Sequence, residues 1–186
     1  MRHRNRGRKL GHNSAHRKAL SRNIVRSLFL NGQIVTTISK AKEYAPTAEK
    51  MISIAKKVDT KIAAMKAKMT EGKEMTAELK AEIDRQAEAI RVAQIRFALS
   101  KLPDKEVVQR LFYVIAPLFT KRNGGYTRII HLNKTRLGDN AKQAILALVE
   151  KLPEESAIQR QREEKLKALK KANEEKRAKK AKMAKK

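Results

Sequence analysis

The sequence predicts an α+β fold: a small mixed three-stranded sheet packed by helices on one face, with basic segments at both ends. Two patterns carry that expectation. Apolar residues recur at helical spacing through most of the interior, and short β-branched or apolar runs interrupt them at residues 33–38, 126–132 and 142–149. Charge adds the outline. No acidic residue precedes Glu43, and the formal charge is +11 over residues 1–42, +7 over 43–150 and +8 over 151–186. A folded body with an arm and a tail has that layout. We therefore divide the chain into an arm at 1–12, a core at 13–150 and a tail at 151–186.

Residues 1–12 alternate Arg with small or polar residues and have no apolar period, so they read as an extended arm that orders on binding. Ser14 is a candidate N-cap for a helix to about Leu30, with Leu20, Ile24, Val25, Leu28 and Phe29 on its apolar face. Asn31-Gly32 stops it. The β-branched run 33–38 follows as a strand. Ser39 is placed to cap a second helix to about Lys57, with Tyr44, Ala48, Met51, Ile52 and Ala55 inward, and Pro46 predicts a local irregularity.

Residues 58–90 are rich in Ala, Lys, Glu and Met around Gly72 and read as an inserted helical hairpin closed by Ile62, Met65, Met69, Met75, Leu79 and Ile83. Two readings stand for it: a contact device for a partner, or a surface insertion with a small core of its own. Its second arm is expected to reach Lys101 and to bury Ile90, Ile95, Phe97 and Leu99. After a break at Pro103 and Asp104, a further helix to about Lys121 would bury Val107, Val108, Leu111, Phe112, Ile115 and Phe119, with its last turns loosened by Pro117. Strands at 126–132 and 142–149 follow, joined by a loop at 133–140 with Gly138 at the bend. The second is apolar on both faces and is the candidate central strand. The tail has helix propensity without an apolar stripe, so an exposed helix and a disordered basic segment fit equally.

The formal net charge of +26 points to a polyanionic partner, because each Lys or Arg set against a phosphate releases counterions. No apolar run is long enough to span a membrane, and the N-terminus has no lipidation or secretory pattern. An Arg-rich transit peptide shares this composition, but Gly7, Gly11 and Asn13 break any amphipathic helix there. A cytoplasmic protein is the default. Cysteine is absent, which removes disulfides and thiolate-bound zinc.

His12 and His16 stand four apart, but no Cys, Asp or Glu within residues 1–42 completes a metal site. A histidine acid–base pair would need a rigid frame, and the arm carrying His3 offers none. We expect no metal, cofactor or catalytic group, and read His3, His12 and His16 as contacts to RNA. Aromatic residues are only 4% of the chain and most lie on predicted core faces, so base stacking gives way to backbone recognition. Arg outnumbers Lys in the arm, which suits bidentate phosphate contacts. A DNA-compacting protein and an RNA-cleaving enzyme are the competing readings. The first would show a dimer interface, and the second would lose all turnover on replacement of His12 or His16.

Three blocks carry a resemblance: MRHRNRGRKLGHNSAHRKALSRN, IVTTISKAKEYAPTAEKMI and KRNGGYTRIIHLNKTRLGDNAKQAILALVE. Together they are similar to the bacterial large-subunit ribosomal protein seventeen family, over residues 1–57 and about 91–150. The resemblance implies a non-enzymatic structural constituent of the large subunit that binds its ribosomal RNA near the peptide exit region. It implies RNA-facing roles for Arg2, His3, Arg4, Arg6, Arg8, Lys9, Arg17, Arg22, Arg122, Tyr126, Arg128 and Arg136, joined by Lys40 and Lys42. The basic stretches themselves add His12, His16, Arg26 and Lys134. Partners expected are large-subunit ribosomal RNA and neighbouring ribosomal proteins, with no membrane, small-molecule substrate or homo-oligomer. The hairpin and the tail lie outside the family's common core, and Ser53 stands where the family often has Thr.

Overall fold

The structure, a computed structural model, describes residues 7–70 and 77–153. Expectations for residues 1–6, for the hairpin bend at 71–76 and for the tail from 154 fall outside them. In chain order the elements are α1 (Ser14–Asn31), β1 (Gln33–Thr37), α2 (Ile38–Thr70), α3 (Ala77–Lys101), α4 (Lys105–Arg110), a π-helical turn (Leu111–Ile115), α5 (Ala116–Leu118), β2 (Thr127–Thr135) and β3 (Lys142–Leu148).

Helix α1 buries Ile24, Val25, Leu28 and Phe29, the face its periodicity predicts. Asn13, not Ser14, is the cap: its side chain accepts the His16 N–H at 2.8 Å while Ser14 is already helical. Gly32 ends the helix at φ +75°, where it can donate its N–H to the Leu28 carbonyl at 2.8 Å. A side chain there would be strained.

Helix α2 starts directly after β1 and runs for 33 residues, so it includes what looked like the separate first arm of a hairpin. It continues through Pro46, which cannot donate to the carbonyl four residues back. The buried stripe Ala41, Tyr44, Ala45, Ala48, Met51, Ile52, Ala55, Val58 and Ile62 runs past that gap on both sides, and tertiary packing outweighs the one lost bond. Helix α3 returns along α2, with Ile62 and Ile83 both buried. Phe97 does not face inward as expected. It is 49% exposed beneath the Lys101 ammonium, because Ala98 and Leu102 take the inward positions and shift the buried stripe by one residue.

Asp104 caps α4, whose Val107 and Val108 are buried together with Leu111, Ile115 and Phe119 further on. The helix expected to reach about Lys121 ends at Leu118, and its last turns are irregular already before Pro117. Leu111–Ile115 widen into a π turn, and the Ala116 N–H bonds the Leu111 carbonyl five residues back. Pro117 supplies no N–H to tighten the next turn.

The sheet order is β1-β3-β2, with β3 central as its two apolar faces predicted. Both pairings are antiparallel, which corrects the mixed sheet expected from sequence. The helical connection does leave β1 and β2 parallel to each other, but β3 lies between them, so no parallel pair forms. Leu146 pairs with Ile34 on one side and Ile129 on the other, and with Ala144 and Leu148 it faces the helices. The opposite face carries the row Val35, Ile145 and Ile130, with Val35 and Ile130 exposed. Among the described residues no helix is long and apolar enough to cross a membrane.

Candidate nucleic-acid interface

Of the candidate RNA-facing residues, Arg2, His3, Arg4 and Arg6 lie outside the described residues. The described end of the arm is bent, not straight. Leu10 and Gly11 both have positive φ, 56° and 70°, and the His12 N–H reaches the Lys9 carbonyl at 3.1 Å, closing a tight turn into α1. The Arg8 N–H donates to Glu43 Oε2 at 2.9 Å. The first carboxylate of the chain thus holds the arm by its main chain, and none of the ion pairs found among the described residues involves the Arg8 guanidinium. Lys9 is exposed. His12 and His16 stack with ring centroids 4.0 Å apart, and no group of three His, Asp or Glu able to hold a metal occurs among the described residues.

A cleft of about 540 Å³ opens where the arm, α1, α2 and the end of α3 meet. Arg8, Arg17, Lys18, Arg22 and Lys101 line it, against the single carboxylate of Glu43. Tyr44 is 5% exposed, and neither its hydroxyl nor Arg17 Nε has a hydrogen-bond partner. A buried polar group left so costs about 1–3 kcal/mol. Burial raises the Tyr44 pKa and Glu43 adds to the effect, opposed by Arg17, so the hydroxyl stays a proton donor. Arg22 Nε donates to the Lys101 carbonyl at 3.3 Å, tying α1 to the end of α3. Arg26 sits further along α1 and is paired, its Nε 2.7 Å from Asp104 Oδ2. Lys40 is half-buried and Lys42 exposed at the start of α2.

A second basic region surrounds β2. Tyr126 is buried at 4%, its ring edge-on to Phe119 at 5.2 Å, so the structure places this ring in the core. The Lys56 ammonium lies 5.0 Å from the Tyr126 ring centroid, 3.3 Å from its hydroxyl, and donates to the Arg122 carbonyl. Glu49 accepts both the Thr127 N–H and its hydroxyl, at 3.3 and 2.9 Å. These contacts fix residues 122–127 on α2. Exposed Arg122 reaches the Gly125 carbonyl at 3.2 Å, and exposed Arg128 the Val149 carbonyl at 3.4 Å. Each keeps further donors for another partner.

In the β2–β3 loop Lys134 is exposed, while Arg136 grips Asp139 through Nε at 3.0 Å and through Nη2. Asp139 also accepts the Ala141 N–H at 3.2 Å. The guanidinium and that N–H hold the Asp139 carboxyl well below its usual range, at about 2. Arg136 therefore shapes the turn that presents Leu137, which is 99% exposed. Sequence reasoning missed Lys18, Lys101 and Lys56 as members of these regions, and read Tyr44 as core alone. Lys101 joins α1 only through the return of α3, which leaves no local signal.

A family model described as Ribosomal protein L17 matches residues 20–149. Among curated relatives, the large ribosomal subunit protein bL17 of Rhodopirellula baltica is 41% identical, covering 81% of this chain and 82% of the relative. The bL17 of Desulfotalea psychrophila is 44% identical over 80% and 90%, and that of Halothermothrix orenii 39% over 77% and 96%. The model spans α1 from its second turn through β3, the whole sheet and every helix packed on it. The chain belongs to the Ribosomal protein L17 family.

Proposed function

We propose that this chain is a structural, non-enzymatic component of the large ribosomal subunit that binds large-subunit ribosomal RNA, in the region of the peptide exit. Family membership over residues 20–149 is the observation that carries the structural role. RNA binding is supported by the charge of +26 and by the cationic cleft beside α1. The exit-region placement rests on the sequence resemblance. In this reading the division of labour follows the chain: an arm at 1–12 that enters between RNA helices, a core at 13–150 that holds the cations in place, and a basic tail at 151–186. The described cations reach phosphates from the arm and α1 through Lys9, Arg17 and Arg22, and from the β2 side through Arg122, Arg128 and Lys134.

The test is binding of the purified full chain to transcribed large-subunit ribosomal RNA and to duplex DNA of equal length, over a range of salt. The expected result is tighter binding to the RNA, with log K falling steeply against log salt. Equal binding to the DNA would favour the compaction reading instead.

A further inference from the structure

We propose that the cleft between the start of α1, the early turns of α2 and the end of α3 seats a backbone phosphate of the bound RNA, with the Tyr44 hydroxyl and the Arg17 guanidinium as inner ligands and Lys101 as a third, contributed by α3. The proposal rests on the RNA-binding reading above and goes beyond it by naming a built site and residues that no charge count selects.

Both buried groups lacking a partner in this cleft, the Tyr44 hydroxyl and Arg17 Nε, can donate, and the guanidinium can do nothing else. One group that serves both must accept from the guanidinium, and the surplus of cations around it makes that acceptor an anion. The one carboxylate present, Glu43, is engaged with the Arg8 N–H. Among the described residues Arg17, Lys18 and Lys101 form no ion pair in the structure. A planar guanidinium and a phenol hydroxyl together suit two oxygens of one phosphate.

The surroundings favour a polymer over a free ion. Lys18 and Arg22, four apart on α1, lie along one side of the cleft, and Arg8 brings the arm to its edge. Successive phosphates of one strand could follow that row, whereas a free phosphate would use only the inner pair.

The experiment is filter binding of the full chain to transcribed large-subunit ribosomal RNA across a salt series, with melting of the free protein measured alongside. Tyr44→Phe should melt no lower than the parent, because its hydroxyl bonds nothing in the free chain, yet bind RNA about tenfold more weakly at an unchanged salt slope. Arg17→Gln and Lys101→Gln should each lower the slope by about 0.7–0.9, one phosphate contact. Lys61→Gln, on the exposed flank of α2, should leave the slope nearly unaltered.

If Tyr44→Phe and Lys101→Gln bind as the parent does while the parent keeps a steep slope, the cleft is overturned and the RNA reading stands. If the parent itself shows a flat slope, the RNA reading falls and the cleft with it. Melting in inorganic phosphate at constant ionic strength separates the sources. Stabilisation by phosphate that Tyr44→Phe abolishes, with RNA affinity untouched by any variant, would make this a free-anion site and overturn the assignment to RNA.

Discussion

Replacing Asp104 separates two contributions that one carboxylate makes at the entrance to α4. Oδ1 accepts the Val107 N–H at 3.2 Å, satisfying a helix N-terminal donor, and Oδ2 lies 2.7 Å from Arg26 Nε. Loss of such a cap costs ~1 kcal/mol. The ion pair contributes less: Arg26 is 56% exposed and Asp104 21%, so solvent screening leaves ~0.5 kcal/mol. Asp104→Ala should then destabilise by about 1.5 kcal/mol, and Asp104→Asn, which still caps, by about 0.5–1 kcal/mol once the charge and its fit to the helix dipole are gone. Arg26→Gln should cost about 0.5 kcal/mol. In urea, with a slope of about 1–3 kcal/mol/M, Asp104→Ala lowers the midpoint by ~0.5–1.5 M. The series is measured by circular dichroism at 222 nm. Equal midpoints for Asp104→Ala and Asp104→Asn would refute the cap, and a coupling energy above about 2 kcal/mol between Arg26 and Asp104 would refute the screened pair. Because Arg26 already has a carboxylate, Arg26→Gln should reduce the RNA salt slope less than Lys18→Gln does.

Three other perturbations test the fold and the loop. Phe119 is fully buried against Tyr126, so Phe119→Ala should cost about 3–5 kcal/mol, seen as a loss of melting temperature or failure to fold. Gly32→Ala forces a side chain onto φ +75° at the end of α1 and should cost ~1 kcal/mol, whereas Gly124→Ala, in open space without a positive φ, should be near neutral in the same melt. Asp139 should titrate near 2 by carboxyl NMR, and in Arg136→Ala should move towards about 3.9. Its pKa is lowered on folding, so its contribution to the loop is present above the unfolded value and is lost as pH falls towards 2. An unchanged Asp139 midpoint in Arg136→Ala would show that the guanidinium is not the cause.

The elements legible in the sequence were those with strong local signals. The α1 stripe, the Gly32 stop and the central place of β3 follow from apolar period and backbone conformation alone. What the sequence hid depends on partners far along the chain. Helix α2 continues past Lys57 because its buried stripe carries on against α3. Phe97 points outward while Ala98 and Leu102 are buried, and a difference of one residue in phase is small beside the width of an apolar stripe. The π turn comes from relief around Pro117, which single-residue propensities do not place. At the candidate interface the sequence identified the cations of the arm and, apart from Lys18, those of α1, but not their grouping. Lys101 joins Arg17 and Arg22 across more than 70 residues of intervening chain. Tyr44 reads as core because its ring is core; only the unpartnered hydroxyl reveals the polar end.

The most direct test of the central claim is sedimentation of the tagged chain from lysate through a high-salt sucrose gradient, with and without ribonuclease. The expected result is stoichiometric migration with the large ribosomal subunit, abolished by ribonuclease. Migration with DNA, or as a free small protein in untreated lysate, would contradict it.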